Sequence, residues 1–148
     1  MQNNYVQQYS KVGMQTGVAS ADPHRLILML LEGAKASILF AKKEMDTGNI
    51  AAKGEAISKA IRIIGELDAS LNMEAGGEIA ANLRALYDYM SVTLLEANLK
   101  NDVKRLLEVM RLLSELKAGW EGIANEVRKT SEAAESKPSK AVLSYGLA

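Results

Sequence analysis

Residues 22–49, DPHRLILMLLEGAKASILFAKKEMDTGN, spell out a helix with both of its ends marked. Asp22 offers a side-chain oxygen to the unpaired amides of a first turn, and Pro23 follows at a position where a missing N–H costs nothing. Ile27, Leu31, Ala34, Ile38, Ala41 and Met45 then recur at spacings of three and four, which places them on one face. Thr47-Gly48-Asn49 supplies turn residues that end the run. Leu26, Met29, Leu30 and Phe40 flank the face, so the apolar surface is wider than a single seam requires.

The same grammar repeats three times downstream. A second helix begins near Ile50 and carries Ile57, Ala60, Ile61, Ile64, Leu67 and Leu71 on one side, with Lys53, Lys59, Arg62, Glu66 and Asp68 expected to face water, and it stops before Gly76-Gly77. A third has the near-heptad stripe Ile79, Leu83, Leu86, Met90, Leu94 and Ala97, and breaks at residues 98–101. Asn101-Asp102 cap a fourth, whose stripe is Val103, Leu106, Met110, Leu113, Leu116, Trp120, Ile123 and Val127, with Leu107, Val109 and Leu112 as a second row. Trp120 falls between Leu116 and Ile123 on the main stripe, which marks it as a core anchor. Short connections force sequential helices to be neighbours, so the spacing predicts an all-α fold, an antiparallel up-down four-helix bundle over residues 21–128. Residues 1–20, polar and broken by Gly13 and Gly17, read as a loose N-terminal arm, and residues 129–148 as a flexible tail.

Composition agrees with this and excludes several function classes. Among 148 residues, 48% are apolar and 24% charged, the balance of a folded domain, and the length suits one core. Two prolines and 5% aromatics favour helix over sheet. Eighteen basic residues cancel eighteen acidic ones, so no overall field draws the chain to nucleic acid or anionic lipid. The absence of cysteine removes disulfides, thiolate zinc sites and cysteine nucleophiles together. The first residues lack the basic and apolar blocks of a secretion signal, and the apolar run 26–31 is too short for a bilayer, so a soluble cytoplasmic protein without membrane insertion is expected.

No enzymatic constellation stands out. A di-iron bundle needs a Glu-x-x-His on each of two helices, whereas this chain has one histidine, His24, with Ala21 three residues before it. His24 is expected to be solvated in the first turn, without a ligand role. Gly76-Gly77 lacks the lysine and the preceding strand of a phosphate loop and reads as a hinge. No serine or threonine is paired with a base in an element that presents it. Neither a catalytic residue, a metal nor a cofactor is implied. What is unusual is apolar surface beyond one core, with Met29, Met45, Met90 and Met110 available to line an adaptable groove.

The segment Ser70-Leu71-Asn72-Met73-Glu74-Ala75-Gly76-Gly77-Glu78-Ile79-Ala80-Ala81-Asn82-Leu83, followed by Leu86-Tyr87-Asp88-Tyr89-Met90, resembles the signature of the FliS family of flagellar secretion chaperones. Ala97-Asn98, Asp102, Glu108-Val109, Leu112-Leu113, Glu115-Leu116 and Trp120 are similar as well, as are Tyr5, Tyr9, Pro23 and the run from Leu26 to Ala34. Two departures, Leu31-Glu32 before the first-helix glycine and Gly119 before the tryptophan, bear on local groove shape. The resemblance implies a cytoplasmic bundle that binds the disordered C-terminal segment of newly made flagellin, blocks premature filament assembly and hands the subunit to the flagellar type III export apparatus. Export-gate and regulatory proteins are further partner candidates, and the chain itself is expected to be a monomer or weak homodimer. The alternatives are a homo-oligomeric structural bundle and a regulatory adaptor for some other helix.

For such a client, counting by three and four from Asn82 gives Leu86 and Tyr89 as one border of the groove, with Leu107, Val109 and Leu112 as the other candidate face. Tyr5 and Tyr9, four apart, are expected to fill the empty groove as an N-terminal cap.

Overall fold

The structure is a computed structural model that describes residues 22–134, with side-chain surroundings for residues 22–123. Tyr5, Tyr9, the arm, Val127 and the chain beyond Ala134 therefore lie outside what is described below. Four helices follow one another: α1 (Pro23–Thr47), α2 (Ile50–Ala69), α3 (Met73–Lys100) and α4 (Val103–Ala134). The last is longer than the sequence pattern suggests. Residues 129–134 contain no glycine or proline, and their Lys, Glu and Ala continue the helix past the apolar stripe.

Every helix starts at a short amide or carboxylate side chain. Asp22 Oδ1 accepts from the Arg25 amide at 3.0 Å, Asn49 from Ala52 at 3.1 Å and Asn72 from Ala75 at 2.8 Å. Asp102 accepts from the Lys104 amide at 3.0 Å. Each cap satisfies an amide that the helix leaves open, worth about 1 kcal/mol. Gly48 ends α1 in the left-handed region at φ +80°, and Asn101 ends α3 there at φ +50°. Only two or three residues then separate one helix from the next.

These reversals arrange the helices in a ring. Each packs on its neighbours in sequence, α4 closes against α1, and the diagonal pairs do not touch among the described residues. The core inside holds Leu30, Leu31 and Ile38 from α1, Ile57, Ile63, Ile64 and Leu67 from α2, Tyr87, Met90 and Leu94 from α3, and Leu106, Val109 and Leu113 from α4.

The seam of α3 corrects the sequence reading. Its inward row is Ala80, Leu83, Tyr87, Met90, Leu94 and Ala97, a strict alternation of three and four, with Leu83 partly buried and the others fully. Ile79, expected inside, is exposed, and Leu86 only packs against the core edge. At these two positions the residues one step further along, Ala80 and Tyr87, take the inward places. The helix is also broken near its start: Gly77 has φ +52° and ψ −125°, a conformation costly for any residue with a Cβ. Residues 73–76 thus form one separate turn ahead of the hinge.

Two polar side chains fasten helices at opposite ends of the bundle. Lys53, expected in water, is buried and donates to the Asn98 carbonyl at 3.0 Å and to Asn101 Oδ1. An ammonium there meets the negative end of the α3 dipole and ties the start of α2 to the α3–α4 turn. At the other end Trp120 is buried, and its indole Nε1 donates to the His24 carbonyl at 3.0 Å, joining α4 to the first turn of α1. The surface ion pairs Lys117–Glu32, between α4 and α1, and Arg84–Asp68, between α3 and α2, add little beyond orientation. Trp120→Ala is expected to cost about 3 to 5 kcal/mol, read as a lowered denaturant midpoint at unchanged slope. A normal midpoint would place Trp120 outside the core.

Candidate partner-binding surface

The outer side of α2 is built from small residues. Ala51, Gly54 and Ser58 recur at spacings of three and four, opposite the isoleucines that enter the core. Beside Glu55, Lys59 and Arg62, these small residues leave the α2 backbone recessed. Gly54 is open enough that an added Cβ would only reach ordinary contact with the Asn98 amide, 4.0 Å away.

The recess is a groove of about 1090 Å³ with Gly33, Ala36, Ser37 and Phe40 of α1 on one wall and Asn98 of α3 on the other. Ile50 closes it at the α1–α2 turn. A second hollow of about 470 Å³ continues past Phe40 to Leu39, Lys42, Lys43 and Asp46. The apolar side chains around this end are unusually bare: Leu39 is 60% exposed, Ile50 70% and Leu99 82%, the last on the same outward row of α3 as Val92 and Leu95. Apolar groups left in water at this density mark a surface awaiting a partner. Four cationic side chains, Lys42, Lys43, Lys59 and Arg62, line the two hollows against the carboxylates of Asp46 and Glu55. Lys42 is engaged with Asp46 at 3.3 Å. The arrangement suits an amphipathic helix whose large side chains drop onto the small residues of α2.

The chain also matches known proteins along most of its length. The family model described as "Flagellar protein FliS" covers residues 5–127. The chain belongs to the FliS family. Among curated relatives, the flagellar secretion chaperone FliS of Salmonella typhimurium is 47% identical over 120 residues, spanning 80% of this chain and 89% of the relative. The flagellar secretion chaperone FliSB of Pseudomonas aeruginosa is 45% identical over 81% of this chain and 95% of its own length. The Bacillus subtilis flagellar secretion chaperone FliS is 35% identical over 78% and 85%.

The residues singled out from the sequence occupy a different side, the strip shared by α3 and α4. Asn82 is exposed and Tyr89 half exposed, its hydroxyl donating to the Glu108 carboxylate across the two helices. That bond, before any other influence, raises the Tyr89 pKa above the ordinary tyrosine value. Leu86 and Leu112 are partly buried at the core edge, and Leu107 is exposed. Val109 belongs to the core and is wholly buried, so the row expected as a second outer face is split. One-helix counting cannot separate positions 107 and 109 without knowing where α1 and α3 lie. The methionines differ from expectation as well: Met90 is fully buried, while Met45 and Met110 pack against the core.

What the sequence reading missed is the α2 groove. Its signal was the spacing of Ala51, Gly54 and Ser58 on the side of the helix away from the isoleucines, which hydropathy alone scores as featureless. Gly54→Ala should stabilise the fold by about 0.5 to 1 kcal/mol, since it removes helix-interior glycine without a clash. Thermal melting checks this, and a lowered Tm would mean that the α2–α3 approach at Asn98 has no slack.

Proposed function

We propose that the chain is a cytoplasmic export chaperone that binds the disordered C-terminal segment of flagellin, prevents its premature polymerisation and assists its delivery to the flagellar type III secretion apparatus. Membership of a family whose curated members are named flagellar secretion chaperones supports the role. The observation that carries the mechanism is the recessed α2 groove between bare apolar ridges. Sequestration is a binding event and calls for no bond-making step. A client segment that forms an amphipathic helix in the groove buries the side chains it would otherwise use to join other subunits. Ordering such a segment costs roughly 2 to 5 kcal/mol, and contact over an extended surface offsets it. The strip of Asn82, Leu86, Tyr89, Leu107 and Leu112 extends that surface around α3 to α4, and residues 1–20, with Tyr5 and Tyr9, act as a displaceable cap.

Calorimetry with a flagellin C-terminal peptide tests the reading. A one-to-one complex is expected, against unchanged self-stoichiometry for a structural oligomer. Ala51→Leu with Ser58→Trp fills the groove from exposed positions, and should weaken binding at least about tenfold, or 1.4 kcal/mol, at unchanged Tm. Asn82→Ala with Tyr89→Ala should do the same if the client continues onto the α3–α4 strip. Retained affinity in the first pair with loss in the second would move the site to that strip, and absence of binding by the unaltered chain would end the chaperone reading.

Deleting residues 1–15 should leave affinity unchanged or tighter and raise the binding of an apolar dye. A large loss of affinity would instead make Tyr5 and Tyr9 direct contacts of the client.

A further inference from the structure

The lone imidazole of the chain touches its lone indole. The rings of His24 and Trp120 lie 4.4 Å apart between centroids, at 34° to each other, and the indole Nε1 donates to the carbonyl of the same histidine. Both imidazole nitrogens are shut off from solvent, and neither has a hydrogen-bond partner among the described residues. This is the reverse of the solvated first-turn histidine expected from sequence. A buried ring with unused polar atoms is an unfavourable arrangement unless something else comes of it.

We propose that the His24–Trp120 contact is a proton-sensitive latch that holds the first turn of α1 against α4 and opens when the imidazole takes up a proton. A neutral ring stacks on the indole and leaves one N–H unsatisfied, a tolerable loss. Protonation gives it a second N–H donor and a full charge, with no acceptor for either among the described residues. The charged ring is more stable in water than in this site. Its route out is short, because His24 is the second residue of α1, and among the described residues Asp22 caps the turn through the Arg25 amide. When the turn unwinds, the His24 carbonyl leaves the indole N–H as well, so the two contacts fail together.

The charges nearby do not cancel this. Asp22 favours the protonated ring, but burial opposes it more strongly, and the balance holds the His24 pKa below the ordinary 6.5. Arg25 on the same turn is of the wrong sign to help. On α4, Lys117 is engaged with Glu32 and Glu121. On α2, the carboxylate of Asp68 is paired with Arg84, and Glu66 stands at the same end. Because the folded-state value is lowered, the stability that the latch contributes is complete above pH 6.5 and is lost as pH falls from there through the folded-state value.

One histidine and one tryptophan make the test unambiguous in the full chain. The imidazole Cε1 proton should titrate with a midpoint below 6.5, and Trp120 emission should change over the same range as the indole loses its partner. Amide exchange at Arg25 and Leu26, corrected for its intrinsic pH dependence, should be about tenfold faster or more at about pH 5 than at about pH 7.5. His24→Phe, which keeps a ring but cannot titrate, should remove both the emission change and the extra exchange. His24→Gln removes the titration without the ring and should likewise show no pH-dependent exchange. A midpoint at or above 6.5, exchange that stays constant while His24 titrates, or the same acid response in both variants would overturn the latch.

Discussion

Three chain reversals of two or three residues each constrain everything else in this bundle. Gly48 and Asn49, residues 70–72, and Asn101 with Asp102 leave no slack for a crossover, so each helix must lie against the one before it. The ring order follows, with α4 meeting α1 and the diagonals apart. So does the position of α2, held between α1 and α3 with one side to the core and one to water. The left-handed residues Gly48 and Asn101 make such tight reversals possible, since few side chains tolerate that backbone.

Within that constraint α2 divides labour between its two sides. Ile57, Ile63, Ile64 and Leu67 are fully buried and secure the helix by burial worth roughly 1.5 to 3 kcal/mol each. The opposite side then has no duty in folding, and Ala51, Gly54 and Ser58 leave it low. Phe40 lines it on one side and Asn98 on the other. A groove made by omission has a useful property: the fold does not depend on what fills it, so a client can enter and leave without unfolding its carrier.

The ends of the bundle are fastened differently, and the difference follows from chemistry. Lys53 meets two oxygen acceptors at the close of α3, a permanent charge matched to a helix terminus. Trp120 meets a histidine whose ring nitrogens have no hydrogen-bond partner among the described residues. This second fastening involves a ring whose pKa is held below the ordinary imidazole value by burial.

Helix number, order and most boundaries were legible from local chemistry alone. Asp22-Pro23 opens α1, Gly48 closes it, Asp102 starts α4, and period-3.6 stripes run between, because caps and turns act over four residues and need nothing from the rest of the chain. The family was legible too, from the segment around the Gly77 hinge. The tertiary structure alone decided which of two adjacent residues faces in. Ala80 and Tyr87 displaced Ile79 and Leu86 from the α3 seam, Val109 went inside while Leu107 stayed out, and Lys53 and His24 were drawn from water into contacts with partners 45 and 96 residues away. Such choices rest on the rotation of one helix against its neighbours, a few tens of degrees that no periodicity within a single helix can fix. The groove over α2 belongs to the same class, since its floor is written in the sequence but its walls are supplied by two other helices.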